Sequence, residues 1–309
     1  MTTISATSIL SSRQGTDWSK RIDTLVLRYP RCIHAEFMTH RVFSRNASSS
    51  RAIPVEKLIQ DVLDDPFVPI YWGKNQKGMQ ADEEQGERVD IGPSLGLKHA
   101  CHVKNEEAWI LARDQAVTMA RAFAKAGYHK QIVNRLLEPF GHITVVVTST
   151  QWSNFFALRD HPDAEPHIQI LAREMRKAID GAPVQELKPG DWHLPFIRDA
   201  DVLEVLNMQN SGEVKHQLLK KLSVARCAST SYKTVDDFDM TFDRAVAVYD
   251  KMLSFPIHAS PFEHQCEMDR PRIRDEERNV VTWSDNYGLG GNLGEGVIQL
   301  RKTLPNECL

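Results

Sequence analysis

Asp23–Arg51 reads DTLVLRYPRCIHAEFMTHRVFSRNASSSR, and the fold is read outward from this stretch. Asp23–Tyr29 alternates crudely and is rich in leucine and β-branched residues, the pattern of a strand. Pro30 suits the first turn of a helix, where an N–H has no intrahelical partner to lose. The expected helix carries Ile33, Glu36, Phe37, His40 and Arg41. Residues three and four apart are neighbours on a helix, so Glu36, His40 and Phe43 share a face. Ser44–Arg51 is small and polar and reads as a loop or helix end that offers hydroxyls and backbone N–H groups.

Beyond it, Glu106–Lys125 sets Trp109, Ala112, Ala116, Met119, Ala120 and Phe123 at helical spacing, with Gly127 as the stop. A short helix around Gln131–Leu137 must end before Pro139, because proline disfavours helical geometry at the preceding residue. Ile143–Val147 is a second strand. Trp152–Arg159 and Asp163–Ile179 read as helices, the second with Ala164, Ile168, Leu171 and Met175 on one face. Val214–Leu222 and Asp236–Leu253 are also helical. Gly181–Asp191, with Pro183, Pro189 and Gly190, reads as a linker. Asp61–Gly96, dense in proline, glycine and charge, reads as an irregular insertion or lid.

The chain has 309 residues, 41% hydrophobic and 26% charged, which excludes a disordered or collagen-like class and allows one large domain or two small ones. No apolar run approaches the ~18 residues of a membrane span, and the first 20 residues lack the apolar centre of a signal peptide. A net charge of −3 argues against general nucleic-acid binding. Cys32, Cys101, Cys227, Cys266 and Cys308 form no C-x-x-C pair, so free thiols in a reducing, cytoplasmic compartment are expected. His99 and His102 flank Cys101 without further ligands, and no metal is expected.

Thr39-His40-Arg41, then seven residues, then Ser49-Ser50-Arg51 is the strongest local signal. The hydroxyls, N–H groups and guanidinium fork of that run suit a phosphate. On spacing alone, a solvated serine-rich loop accounts for the same residues better than a site does.

The stretch resembles the signature of flavin-dependent thymidylate synthases, the ThyX class: R-H-R, seven residues, S, with S-x-R closing. Two further blocks are similar to that family. Ala126-Gly127, Gln131 and Arg135–Pro139 match A-G…Q-x-x-R-x-x-L-P, and Asn154–Arg159 (NFFALR) matches N-F-x-x-L-R. Ser223–Cys227 with His258–His264 (HASPFEH) match a-R-v…G-H-x-S-P-F-E-H, an element that precedes R-H-R in the family and follows it here. A circular permutation explains the order, since it is tolerated where the ends of a domain lie close together. Thr39, Ala47, Glu138, Thr148 and Thr150 depart from the family's Arg, Glu, Leu, Asn and Arg.

The resemblance implies an α/β fold, a mixed sheet with packed helices. It is expected as one composite domain from residues 1–180, interrupted by an insertion at about 61–103, and residues 191–309. It implies a homotetramer with FAD between subunits, and NADPH and methylene-tetrahydrofolate as co-substrates in the methylation of dUMP to dTMP. His40 and Arg159 are the implied catalytic residues. Glu36, Ser49, Ser50, Arg51, Arg135 and Arg159 are expected on the pyrimidine deoxynucleotide, and His40, Arg41, Asn46, Asn154, His258, Ser260 and Glu263 on the flavin. Taken singly, Arg135 and Arg159 are better explained as surface ion pairs. Methylation or hydroxymethylation of dCMP, and a noncatalytic nucleotide-binding relative, remain alternatives. If the chain is permuted, Ser260 and Glu263 must converge with His40 and Arg41, and Arg51, Arg135 and Arg159 must face an anion pocket nearby.

Overall fold

Ser5–Gln14 (β1), Ile22–Pro30 (β2), Ser44–Ala47 (β3), His142–Ser149 (β4) and Val184–Leu187 (β5) form a five-stranded sheet in the computed structural model, in the order β3, β4, β2, β1, β5. Neighbours are antiparallel except β1 and β5, which run parallel, so the sheet is mixed. The structure describes residues 3–15, 21–209, 211–230, 240–254, 256–275, 280–283, 288–305 and 307. Nine α-helices lie among them: His34–Phe37 (α1), Val55–Asp64 (α2), Asn105–Lys125 (α3), Lys130–Val133 (α4), Ser153–Arg159 (α5), Pro166–Asp180 (α6), Asp199–Asn207 (α7), Gly212–Ser229 (α8) and Phe242–Leu253 (α9). Trp192–His193 (β6), Cys266–Met268 (β7) and Val297–Gln299 (β8) make a smaller antiparallel sheet.

Side chains alternate across a strand, and β2 uses both of its faces. Leu25, Leu27 and Tyr29 pair in register with Val147, Val145 and Ile143 of β4. All six are buried against Phe37, Phe43 and Phe155 and the Ile168, Leu171 and Met175 stripe of α6. Each such side chain stabilises the fold by ~1.5–3 kcal/mol. The glutamate before Pro166 starts α6: the Glu165 carboxylate accepts from the backbone N–H groups of His167 and Ile168. Alternation puts Thr24 and its register partner Thr148 on the opposite face, which the C-terminal part of the chain covers.

That part has its own packing. Leu222 and Ala225 of α8 meet Phe242 and Ala245 of α9, and Val224 meets Tyr249, Met252 and Phe262. Arg226, only 2% exposed, donates to both carboxylate oxygens of Asp201 at 2.5 and 2.8 Å and to the Phe196 carbonyl. Among the described residues, no helix is long and apolar enough to cross a membrane.

Several sequence expectations are corrected. Pro30 ends β2, a 3-10 turn spans Arg31–Ile33, and α1 stops at Phe37, so His40 and Arg41 lie beyond the helix in the connection to Ser44. The chain must leave the helix there because Ser44–Ala47, expected as a loop, pairs with Val145–Thr148 as β3. Gly181–Asp191 is no linker, since Val184–Leu187 hydrogen-bonds along Ser11–Gln14. The insertion does not begin at Asp61, because α2 continues to Asp64 with Leu58, Ile59 and Val62 packed on Val117 and Ala120 of α3. Thr241 caps α9, which begins at Phe242, and residues 236–239 of that expected helix lie outside the described residues.

Candidate functional site

Phe155 and Phe156 bury one side of α5, and the helix carries Arg159 at its last turn. From there the guanidinium reaches three side chains, one on α1 and two in the connection from α1 to β3. Its Nε donates to His40 Nε2 at 3.0 Å, its Nη1 pairs with the Glu36 carboxylate, and its Nη2 lies 3.4 Å from Thr39 Oγ1. His40 is 6% exposed, stacked at 5.8 Å on Phe43 and edge-on at 4.9 Å to Phe155. Burial, then the charges of Arg159 and Arg45, push its pKa down to about 4. The imidazole is therefore neutral near pH 7, and because Nε2 accepts from Arg159, its proton sits on Nδ1. Glu36 and His40 do converge, through Arg159 rather than along a continuous helix.

Glu36 and Arg159 line an open cleft of about 1460 Å³. One wall is the α5–α6 connection, including His161 and Asp163; the other comes from the insertion, including Tyr71 and Lys77. Gln80 Nε2 donates across the cleft to the Asp163 carbonyl at 2.5 Å.

The serine run belongs to a second cluster. Ser48 continues the pairing with Thr144, and Ser50 donates from Oγ to Glu138 Oε1 at 2.5 Å. Arg31 Nε and Arg135 Nη1 each lie 3.4 Å from the same carboxylate. Ser49 is half-buried and Arg51 exposed. The three arginines thus have separate surroundings: Arg159 pairs with Glu36, Arg135 with Glu138, and Arg51 faces solvent.

The His258–His264 loop packs on β3, directly after the His40 turn. Ser260 Oγ lies 3.3 Å from Asn46 Oδ1, a contact between residues 214 apart, while Asn46 Nδ2 donates to the Cys227 carbonyl at 2.6 Å. Gln299 Nε2 donates to Ser44 Oγ and to the Glu263 carbonyl. Glu263 pairs with Arg301; burial raises its carboxyl pKa, and the charges of Arg301 and Arg45 oppose that rise. Arg45 stands between the two regions, since its charge acts on both His40 and Glu263.

The sequence reading missed a buried polar chain behind this loop. Ser12 Oγ, His193, Thr24 Oγ1, Thr148 Oγ1 and His264 are linked at 2.8, 2.9, 2.7 and 2.9 Å, all five residues fully buried. Thr24 and Thr148 were findable as polar residues facing each other on paired strands. His193 carried no signal, because it lies beyond a segment read as a linker.

FAD is the cofactor the resemblance implies. Asn46, Ser260 and Glu263 bond within the chain, but Arg41, Asn154 and His258 are exposed, and the first two adjoin in sequence the edge-on His40–Phe155 pair. Met38 and Val42 expose apolar surface beside them. A cation, an amide and apolar surface fit an anionic cofactor with a flat ring.

No protein-family model and no curated protein matches this chain. Among solved structures it is similar to the UMP/dUMP methylase PolB from Streptomyces cacaoi bound with 5-Br dUMP, at 14% identity and TM-score 0.42, covering 58% of this chain and 90% of that one. The same methylase with 5-Br UMP gives 16% identity, TM-score 0.40 and coverages of 58% and 89%. The flavin-dependent thymidylate synthase ThyX from Helicobacter pylori, complexed with FAD and dUMP, gives 16%, 0.33, 51% and 67%.

Proposed function

We propose that this chain holds a pyrimidine deoxynucleotide beside FAD and methylates the base, converting dUMP to dTMP with methylene-tetrahydrofolate and NADPH as co-substrates. The observation that carries the reading is the convergence of Glu36, His40 and Arg159, from two segments that resemble the family's motifs, with Glu36 and Arg159 lining the cleft and His40 buried behind Arg159. In this reading Arg159 is the fixed positive charge that polarises a pyrimidine oxygen. Neutral His40 orients it by accepting from Nε, and Glu36 holds the far side of the fork. Arg41, Asn154 and His258 are the groups that would hold FAD, which supplies hydride when bound. Ser49, Ser50, Arg51 and Arg135 form the phosphate end. The circularly permuted, single-domain organisation and the homotetramer belong to the same proposal.

One observation favours a second reading. Asn46, Ser260 and Glu263 are engaged inside the chain, which suits a nucleotide binder that does without flavin. Purified protein decides between them. Visible flavin absorbance, or uptake of added FAD, followed by a methyl mass gain on dUMP with NADPH and methylene-tetrahydrofolate, is the expected result. A gain on dCMP would move the substrate, and neither flavin uptake nor product would leave the noncatalytic reading.

A further inference from the structure

We propose that Glu138 is a resident competitor in an oxyanion site made by Ser50, Arg31 and Arg135, and that a phosphate monoester binds there by displacing its carboxylate; that the monoester is a pyrimidine nucleotide rests on the function proposed above. Two guanidinium groups and a hydroxyl converge on one internal carboxylate. The donors are held firmly. Asn134, fully buried, donates to the carbonyls of Ser50 at 2.6 Å and Ile53 at 2.9 Å, Ser48 is tied to β4, and the Arg31 N–H bonds the Gly141 carbonyl at 3.0 Å.

Ser50 holds the carboxylate closely, at 2.5 Å, but the two arginines hold it loosely. Both arginine contacts are 3.4 Å, against the ~2.7–2.9 Å of a well-seated charge-assisted bond. A carboxylate presents two oxygens to three donors, whereas a phosphate monoester presents three and carries more charge. Arg51, next to Ser50, and Lys130, whose Nζ donates to the Ala52 carbonyl at 2.8 Å, add two cations beside the same loop. Charge and geometry therefore favour a dianion over Glu138 once one is present. The carboxylate keeps the donors satisfied in its absence and sets a threshold against weaker anions.

The test is calorimetric titration of the full chain and its Glu138→Gln and Glu138→Leu variants with inorganic phosphate, deoxyribose 5-phosphate, dUMP and deoxyuridine. Both variants are expected to bind inorganic phosphate at least about tenfold more tightly than the parent, the order expected when one like charge leaves the contact. Adding Arg135→Ala should remove the gain. Folded variants that bind phosphate no more tightly than the parent overturn the proposal. If neither variant folds, the parent chain still decides, because phosphate must shift the Glu138 side-chain carboxyl resonance, and an unmoved signal at saturation overturns it. A gain with phosphate but no preference for dUMP over deoxyribose 5-phosphate supports the competitor role and overturns the pyrimidine reading alone.

Discussion

The Arg159 fork satisfies a carboxylate, an imidazole and a hydroxyl at once, and a lysine has no planar fork with which to do so. In the proposed function, Arg159→Ala should weaken dUMP binding by ~2–5 kcal/mol, since it removes a half-buried charge and leaves Glu36 without its partner. Arg159→Lys should recover little of that, as read by calorimetry. Full recovery by lysine would reduce the role to bulk charge. The same variant has a second readout. Arg159 is the largest charge lowering the His40 pKa, after burial, so Arg159→Ala should raise it from about 4 while leaving it below the ordinary imidazole value, as followed by NMR titration. An unmoved His40 would show that the two do not interact. Arg135→Ala should cost little stability, about 0–1 kcal/mol, because its pair with Glu138 is exposed on the arginine side.

At the scale of elements, Thr24 and Thr148 show why side-chain polarity on paired strands matters. The two hydroxyls join β2 to β4 and continue to His193 on one side and His264 on the other. Thr148→Val keeps the shape but leaves buried Thr24 and His264 each short of a partner, so it should destabilise by ~1–3 kcal/mol in urea denaturation. A neutral result would mean that the chain of bonds adds nothing. Among the longer elements, α3, β4 and α6 follow the spacing of Trp109–Phe123, Ile143–Val147 and Ile168–Met175, whereas β1, α2 and α7, of nine or ten residues, were not read from the sequence. β3 and β5 are four residues each, too short for periodicity, and their pairing is decided by β4 and β1 from far along the chain. α1 was overdrawn for the same reason, because the demand for β3 ends it before the helical pattern does. In the site, Glu36, His40 and Arg159 were legible as types, but the contacts of Asn46 and Ser260 needed the fold.

Over the whole molecule, the N-terminal sheet and the C-terminal segment are joined through groups that must stay neutral, and this fixes how stability responds to acid. Burial pushes His193 and His264 to about 3, and His40 and His142 to about 4. An unfolded chain takes up protons on all four near the ordinary value of ~6.5. Between that value and the folded ones, the unfolded state binds more protons than the folded state. Stability is therefore whole above about pH 6.5 and falls as the pH drops toward 4 and below, each histidine contributing a slope of ~1.4 kcal/mol per pH unit within its window. Asp23 and Glu263, whose carboxyls are raised by burial, act in the opposite direction and soften the fall. Urea midpoints measured from about pH 7 down to about pH 4 should decline steadily. His264→Asn, which can keep a hydrogen bond to Thr148 but takes up no proton in that range, should be less stable at neutral pH and show a shallower decline. A variant with the parent's slope would mean that His264 is not held neutral, and the joining of the two parts would then owe no acid sensitivity to it, resting on apolar packing and on bonds such as Asn46 to the Cys227 carbonyl and Gln299 to Ser44.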